Sequence, residues 1–372
     1  MHPHRPLLFF LSVTLFFPCK AATVQEKALA PVLENTKKPA AAPSVYTNIG
    51  GIPVARSAYA QQMIKKYITQ YTSSFGAKEL YATLDEGEQY RLYVRQELQK
   101  RRMPSALEYL PVVESNYKPL AKSKSGARGI WQFMENSIAG FLKKNEWIDE
   151  RLDPWLSTDA ALTKLQDNYR MFGDWPLAIA AYNCGAGAMR RILKKAPQKT
   201  FWYIAEHGLL RDQSVQYVPK LLAISELATH ATAYALVLPE ESTHFADFDY
   251  IVLSRQIFLD RLESELRMGS GALAALNPAL IKQCTPPEQD YALRLPAGME
   301  LSAHIAVNAI RDAEQARALV AHTVAKGDTL YALARTYKTT VAEICKESGI
   351  QQNEVLSIGK VLYIPVESAE NN

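Results

Sequence analysis

The sequence predicts a multidomain chain, an all-α domain over residues 45–235 followed by small α+β modules of strand–helix–helix–strand order. Three observations carry this. Apolar residues recur at helical intervals from about Val54 to Thr229, with few β-branched alternations between them. The texture changes after about residue 236, where short strand-like runs flank helical ones. That later pattern also occurs twice, which marks an internal repeat.

The N-terminus comes first. "MHPHR" is a short basic segment, "PLLFFLSVTLFF" an apolar run too short to span a bilayer, and "PCKAAT" supplies small residues for cleavage after Ala21. Residues 1–21 therefore read as a secretory signal peptide and the protein as exported. Lipidation at Cys19, with membrane association, is the competing reading, although Phe16, Phe17 and Pro18 are too large for a lipobox. Residues 22–44, rich in Ala, Pro and Lys, read as a linker.

Within the all-α domain, "ARSAYAQQMIKKYITQYT" and "EGEQYRLYVRQELQKRR" place apolar residues on one helical face. "STDAALTKLQDNYRMFG" opens on a Ser/Thr/Asp cluster suited to capping and ends at Gly173. "PLAIAAYN" starts at Pro176, and Gly185 and Gly187 are expected to end it with positive φ. "VPKLLAISELAT" supplies a further apolar helix. In the repeat, Leu259, Leu262 and Leu266 match Leu330, Leu333 and Tyr337 at one constant offset, and "LRLP" matches "LYIP". This divides the tail into a degenerate module at 236–300, a connecting helix at 301–320 and a second module at 321–367. The first copy has Gln256-Ile257 where the second has the turn pair Gly327-Asp328.

Several chemistries find no support. The net charge of +4, without a long Lys/Arg run, does not call for nucleic acid. Cys184, Cys284 and Cys345, an odd number over separate modules, argue against a disulfide framework. His207, His230, His244, His304 and His322 form no metal-ligand spacing, and no cofactor motif, GxSxG or P-loop occurs.

One carboxylate stands out. In "LPVVESNYKPLAKSKSGARGIWQFM", Glu114 follows an apolar run and precedes Lys118, Lys122, Lys124 and Arg128. A helix over 105–116 would carry Leu107, Leu110 and Pro111 on the face of Glu114, with a kink where Pro111 loses its bond to the Leu107 carbonyl. A carboxyl in such a wall has a raised pKa, as a general acid needs, provided the four cations stay in solvent. The other reading is a half-buried glutamate in a salt bridge, and spacing alone leaves both open. Glycoside cleavage usually takes two carboxylates. Asp149, Glu150 and Asp153 in "WIDERLDPW" are the candidates for a second, or else a helix-flanking turn held by salt links. One carboxyl suffices where a substrate N-acetyl oxygen supplies the other group.

The order "ES" at 114–115, "KSKSGARGIWQF" at 122–133, "DERLDP" from Asp149, "AYN" at 181–183 and "YVPK" at 217–220 resembles the lytic transglycosylases, in particular their membrane-bound type D subfamily. The likeness covers roughly residues 50–235 and implies a lysozyme-like fold of the goose-type or soluble lytic transglycosylase kind. Residues 322–366 resemble a LysM domain, which implies peptidoglycan glycan strands as partner, the cell envelope or periplasm as location, and a monomer.

The resemblance implies Glu114 as the single acid/base. It implies Ser115, Ser123, Gln132, Met134, Tyr182, Asn183 and Tyr217 as substrate-groove residues, and Gly327, Asp328 and Thr329 as the LysM glycan-binding loop. Gln132 and Asn183 can donate to and accept from acetamido groups. Tyr182, Tyr217 and Trp131 offer faces for sugar rings, or else fill a core. The implied reaction is non-hydrolytic cleavage of the MurNAc–GlcNAc bond to 1,6-anhydromuramyl ends, a lyase activity. A lysozyme-type hydrolase on the same fold and a catalytically weak wall-binding scaffold remain the alternatives.

The chain departs from the family pattern at Gln213-Ser214 (usually Glu-Thr), at Glu135 (usually Pro) and at Glu347-Ser348 (usually Leu-Asn).

Overall fold

The computed structural model describes residues 45–243, 247–310 and 317–367. The leader at 1–21, the linker at 22–44, Cys19 and His244 lie outside the described residues.

A short hairpin (β1, Asn48–Ile49; β2, Ile52–Pro53) precedes α1 (Ala58–Thr72), α2 (Ser74–Glu86) and α3 (Glu88–Lys100). Ser57 and Ser73 start the first two of these helices, each hydroxyl accepting the amide hydrogen three residues on. A 3-10 turn (Ser105–Tyr109) and the six-residue α4 (Leu110–Ser115) follow. After an irregular segment come α5 (Pro154–Phe172), α6 (Trp175–Cys184), α7 (Ala186–Lys195), α8 (Phe201–Glu206) and α9 (Asp212–Thr229). The domain is all-α apart from its hairpin, and α9 runs through its core. Val218, Leu221, Leu222, Ala223, Ile224 and Leu227 are fully buried, and the helix packs on α1, α4 and α6.

Local chemistry shifts three expected boundaries. Pro111 falls in the first turn of α4, where its missing N–H costs no helical bond; the break lies at Tyr109, not in a kinked helix over 105–116. Asp153, not the Ser157–Asp159 cluster, caps α5 by accepting from the Trp155 and Leu156 amides. Ser157 and Thr158 lie buried inside the helix, their hydroxyls donating back to the Asp153 and Pro154 carbonyls. Gly173 and Gly185 end their helices with positive φ, but Gly187 sits within α7 with ordinary helical geometry.

Both later stretches fold as strand, helix, helix, strand. The first consists of β3 (Phe248–Leu253), α10 (Leu259–Glu265), α11 (Ala272–Leu276) and β4 (Tyr291–Pro296). The second consists of β5 (Arg317–Thr323), α13 (Leu330–Thr336), α14 (Val341–Ser348) and β6 (Val361–Glu367), with α12 (Glu300–Ala309) between the modules. Each strand pair is antiparallel, with Ile251 opposite Leu293 and Val320 opposite Ile364. The expected connecting helix over 301–320 is thus shorter. Helix ends at Ala309, and by Arg317 the chain is strand, because "RALVAHT" pairs with "VLYIPVE" along its whole length.

The first module packs on the all-α domain. Trp147 and Ile148 join its core, and the backbones bond through the Asp149 amide to Ala279 (2.9 Å) and the Ile281 amide to Trp147 (3.1 Å). Arg294 fastens the contact. Its Nη1 bonds Asp153 Oδ2 at 3.0 Å, and its guanidinium lies 4.1 Å from the Trp155 ring centre. Both charged side chains are almost wholly buried. We expect Arg294→Met to leave Asp153 as an uncompensated buried charge and to destabilise the protein by about 3 kcal/mol in urea unfolding.

Candidate active site

Glu114 is the penultimate residue of α4, whose end is set by Asn116 and Tyr117, both with positive φ. Two fasteners hold this short helix. Ser115 Oγ donates to the Ile130 carbonyl at 2.8 Å, and the buried Tyr117 hydroxyl donates to the Glu108 carbonyl. Below it, Glu108 is buried in an ion network with Arg91 and Arg95 of α3 at 2.8 and 2.9 Å. A rigid base thus carries the glutamate.

Residues 121–134 form the facing wall. Ser123 stabilises a tight turn, its hydroxyl accepting from the Ala127 amide at 3.0 Å. Gly129, φ +79°, lets this segment run against the backbone at Arg151; a Cβ there would lie 1.7 Å from the Arg151 carbonyl oxygen. Gly126 has open space around it, so the two glycines differ in kind. Trp131 has no exposed surface and its indole donates to Thr158 Oγ1. It is core, not a sugar platform. Met134 stays 37% exposed at the rim.

Helix α9 touches the Glu114 carboxyl directly. Tyr217 of α9 donates its hydroxyl hydrogen to Oε1. Tyr182 of α6 is buried and donates to the Trp131 carbonyl at 2.9 Å, so it too is a wall. Lys220 of α9 and Lys164 of α5 act on the carboxyl by charge. Burial outweighs the Tyr217 hydrogen bond and the two ammoniums and pushes the Glu114 pKa up to about 7. Of the cations near it in sequence, Lys118, Lys122 and Lys124 are exposed, and Arg128 approaches Asp149 at 3.9 Å. Three of the four stay in solvent as that reading requires, whereas Arg128 is half-buried beside Asp149, and the cations that do act on Glu114 are distant in sequence.

Two amides frame the site. Gln132, itself at positive φ, donates Nε2 to the Gly129 carbonyl at 2.8 Å, which leaves its Oε1 as an acceptor. Asn183 Oδ1 accepts from Ser214 Oγ at 2.8 Å, which leaves its Nδ2 as a donor. An acetamido group presents the complementary N–H and C=O pair. Ser214 is one of the departing residues, and here it orients Asn183. Sequence reasoning missed this, as it missed Lys164.

The acidic candidates near "WIDERLDPW" are otherwise engaged. Asp149 forms a two-toothed buried pair with Arg151 (2.8 and 2.7 Å), Glu150 accepts from the Lys143 amide, and Asp153 caps α5 and holds Arg294. The salt-linked turn is the reading that applies. Glu135 is exposed and paired with Lys144 at 2.6 Å.

In the last module, Gly327 has φ +98°, Asp328 Oδ2 accepts from the Ala325 amide and pairs with His322, and Thr329 caps α13. The side chains of Asp328 and Thr329 therefore hold their own loop. Ser348, the second departing residue of α14, exchanges two hydrogen bonds with the Tyr363 backbone and so locks helix to strand.

Residues 92–205 of the all-α domain, which include Glu114, match the transglycosylase SLT domain, and residues 322–365, the second βααβ module, match the LysM domain. Among known proteins the chain is 39% identical over 158 residues to the membrane-bound lytic murein transglycosylase D of Escherichia coli K12, with the same figures for that of strain O6:H1. That alignment covers 41% of this chain and 34% of the relative, so the chain spans about a third of the length of these relatives. It is also 35% identical over 136 residues to a putative tributyltin chloride resistance protein of Alteromonas sp. strain M-1, covering 36% of this chain and 61% of that one.

Proposed function

We propose that this protein is an exported peptidoglycan lytic transglycosylase, which cuts the MurNAc–GlcNAc bond without water and is held to the wall by its LysM domain. One observation carries the reading. A single carboxyl, with its pKa pushed up to about 7, is acted on by a phenol and two ammoniums and, among the described residues, by no second carboxylate. Hydrolysis by the usual carboxylate pair lacks its partner here. The SLT and LysM matches and the likeness to lytic murein transglycosylase D support the substrate.

In this mechanism protonated Glu114 gives its proton to the glycosidic oxygen, and the C1–O bond breaks. The N-acetyl group of the muramyl residue, its N–H donating to Gln132 Oε1 and its C=O accepting from Asn183 Nδ2, stabilises the cationic carbon through its carbonyl oxygen. The Glu114 carboxylate then takes the proton of the muramyl O6 hydroxyl as O6 closes on C1. Glu114 ends protonated and no water is consumed. Ser115 and Tyr217 keep the carboxyl in place, Ser123 shapes the groove wall, and Met134 and Tyr182 line it. The loop at Gly327, Asp328 and Thr329 contacts glycan chiefly through its backbone.

Mass spectrometry of digested sacculi tests the reaction. Anhydro ends are expected; reducing ends alone would indicate a lysozyme-type hydrolase, and no products with retained wall binding a scaffold. Tyr217→Phe tests the acid. The phenol donates to the charged carboxylate and so lowers its pKa; without it the Glu114 pKa rises. The alkaline limb of kcat/KM, where the free enzyme loses its acidic proton, should move up by roughly half a unit to one unit, and the plateau should fall about tenfold.

A further inference from the structure

The turn from Asp149 to Asp153 lies between the groove wall and the first βααβ module and is fastened to both. The module grips it at each end. The Asp149 amide donates to the Ala279 carbonyl at 2.9 Å, and Asp153 Oδ2 accepts from Arg294 Nη1 at 3.0 Å. From the middle of the turn Arg151 reaches the groove wall. Its Nη1 donates to the carbonyls of Gly126 and Phe133, both at 3.3 Å, while Nε and Nη2 bind Asp149 at 2.8 and 2.7 Å. The guanidinium is planar, so holding Asp149 along one edge aims the remaining nitrogen at the two carbonyls.

Gly126 and Phe133 bracket the loop that carries Gln132. Arg128 and Phe133 close that loop by exchanging backbone bonds, both 3.1 Å, and Gln132 sits next to Phe133 with φ +48°. A left-handed glutamine is uncommon and persists where its surroundings fix it. A buried ion pair alone is a weak source of stability. Here the arginine's further bonds go to the groove.

We propose that Arg151 is a positioning residue for Gln132, and that the first βααβ module is the anchor it works from: the module fixes the 149–153 turn, and the Arg151 guanidinium clasps both ends of the Gln132 loop. Arg151 touches no substrate in this scheme, and the module needs no glycan of its own. This gives a use to the copy that lacks the Gly-Asp turn of its repeat. In the reaction proposed above, Gln132 Oε1 meets the acetamido N–H, so a displacement of about 1 Å in this wall slows the step in which that group supports the cationic carbon. The kinetic part rests on the transglycosylase reading; the mechanical link from module to Gln132 does not.

The test uses the full chain with nitrogen-labelled glutamine, the Gln132 side-chain signal being identified by its loss in Gln132→Asn. Arg151→Lys keeps a cation for Asp149, but one ammonium cannot also reach both carbonyls. The Gln132 signal should move and broaden, and kcat on sacculi should fall about tenfold with KM within roughly twofold. Gln132→Asn suits the positive φ and withdraws the amide; if it costs about tenfold in the wild type, it should cost less than about twofold beside Arg151→Lys. Tyr217→Phe, which acts on the acid, should multiply in full with Arg151→Lys. Arg294→Met, which loosens the module's grip, should also move the Gln132 signal. A signal unmoved in either folded variant overturns the proposal, as does full multiplication between Arg151→Lys and Gln132→Asn, the result of a purely structural arginine. If Arg151→Lys or Arg294→Met fails to fold by circular dichroism, Asp149→Asn or Arg294→Lys is read in its place. A wild-type chain that releases no anhydro-ended product refutes the reaction, while the Gln132 signal still decides the link.

Discussion

Glu114→Gln should cut the release of anhydro-ended fragments from sacculi by about 10³-fold, within the range that a positioned general acid contributes. Glutamine matches the carboxyl in size and can still meet the Tyr217 hydroxyl, so the loss would report the missing proton and not a lost shape. The same substitution has a second, opposite readout. The folded protein holds the Glu114 proton up to about pH 7, whereas an unfolded glutamate gives it up near its ordinary value of 4.5. Because the folded pKa is raised, the stability this group contributes is fully present below pH 4.5 and is lost as pH rises through 7. Above that the wild type carries a charge in a dry wall, and the Gln variant does not. Glu114→Gln should therefore melt higher than wild type at pH 8 and much closer to it at pH 4. Equal activity in the two proteins would end the enzyme reading, whereas equal melting at pH 8 would mean that the carboxyl is not in a desolvated wall.

Gly129→Ala should be the most damaging single methyl addition in the groove. The added Cβ would sit 1.7 Å from the Arg151 carbonyl oxygen, and φ of +79° disfavours any L side chain. Relief requires separating the 121–134 wall from the turn that carries the buried Asp149–Arg151 pair. A loss of about 3 kcal/mol or more in urea unfolding is expected, with activity lost in parallel. Gly126→Ala is the control. It shares the positive φ but has nothing within 4 Å of the added carbon, so it should cost only about 1 kcal/mol.

These two residues show how unevenly the site could be read in advance. Glu114 was legible because a lone carboxylate after an apolar run, followed by ordered motifs down the chain, forms a pattern along one dimension. Gly129 was legible as a turn residue but not as a contact with Arg151. Nothing in the spacing says that the two segments cross. Trp131 looked equally suited to stacking a sugar or to filling a core, and its hydrogen bond to Thr158 of α5 makes it core. Ser157 and Thr158 looked like a helix start, yet Asp153 won that role because Pro154 sits well at a first helical position and Ser157 and Thr158 can bond back to carbonyls.

The sequence by itself determined the all-α character of residues 45–235, the two βααβ modules behind it, and the candidate acid. Each follows from a local period or from ordered short motifs, and these depend on chain neighbours. The tertiary structure decided the rest: which cations act on Glu114, which amide groups remain to meet a sugar, and what the acids of "WIDERLDPW" do. Lys164, Ser214 and Arg294 reach their partners from other helices and another module. Burial, charge and hydrogen bonding act through space, and only the packed chain brings those groups within range.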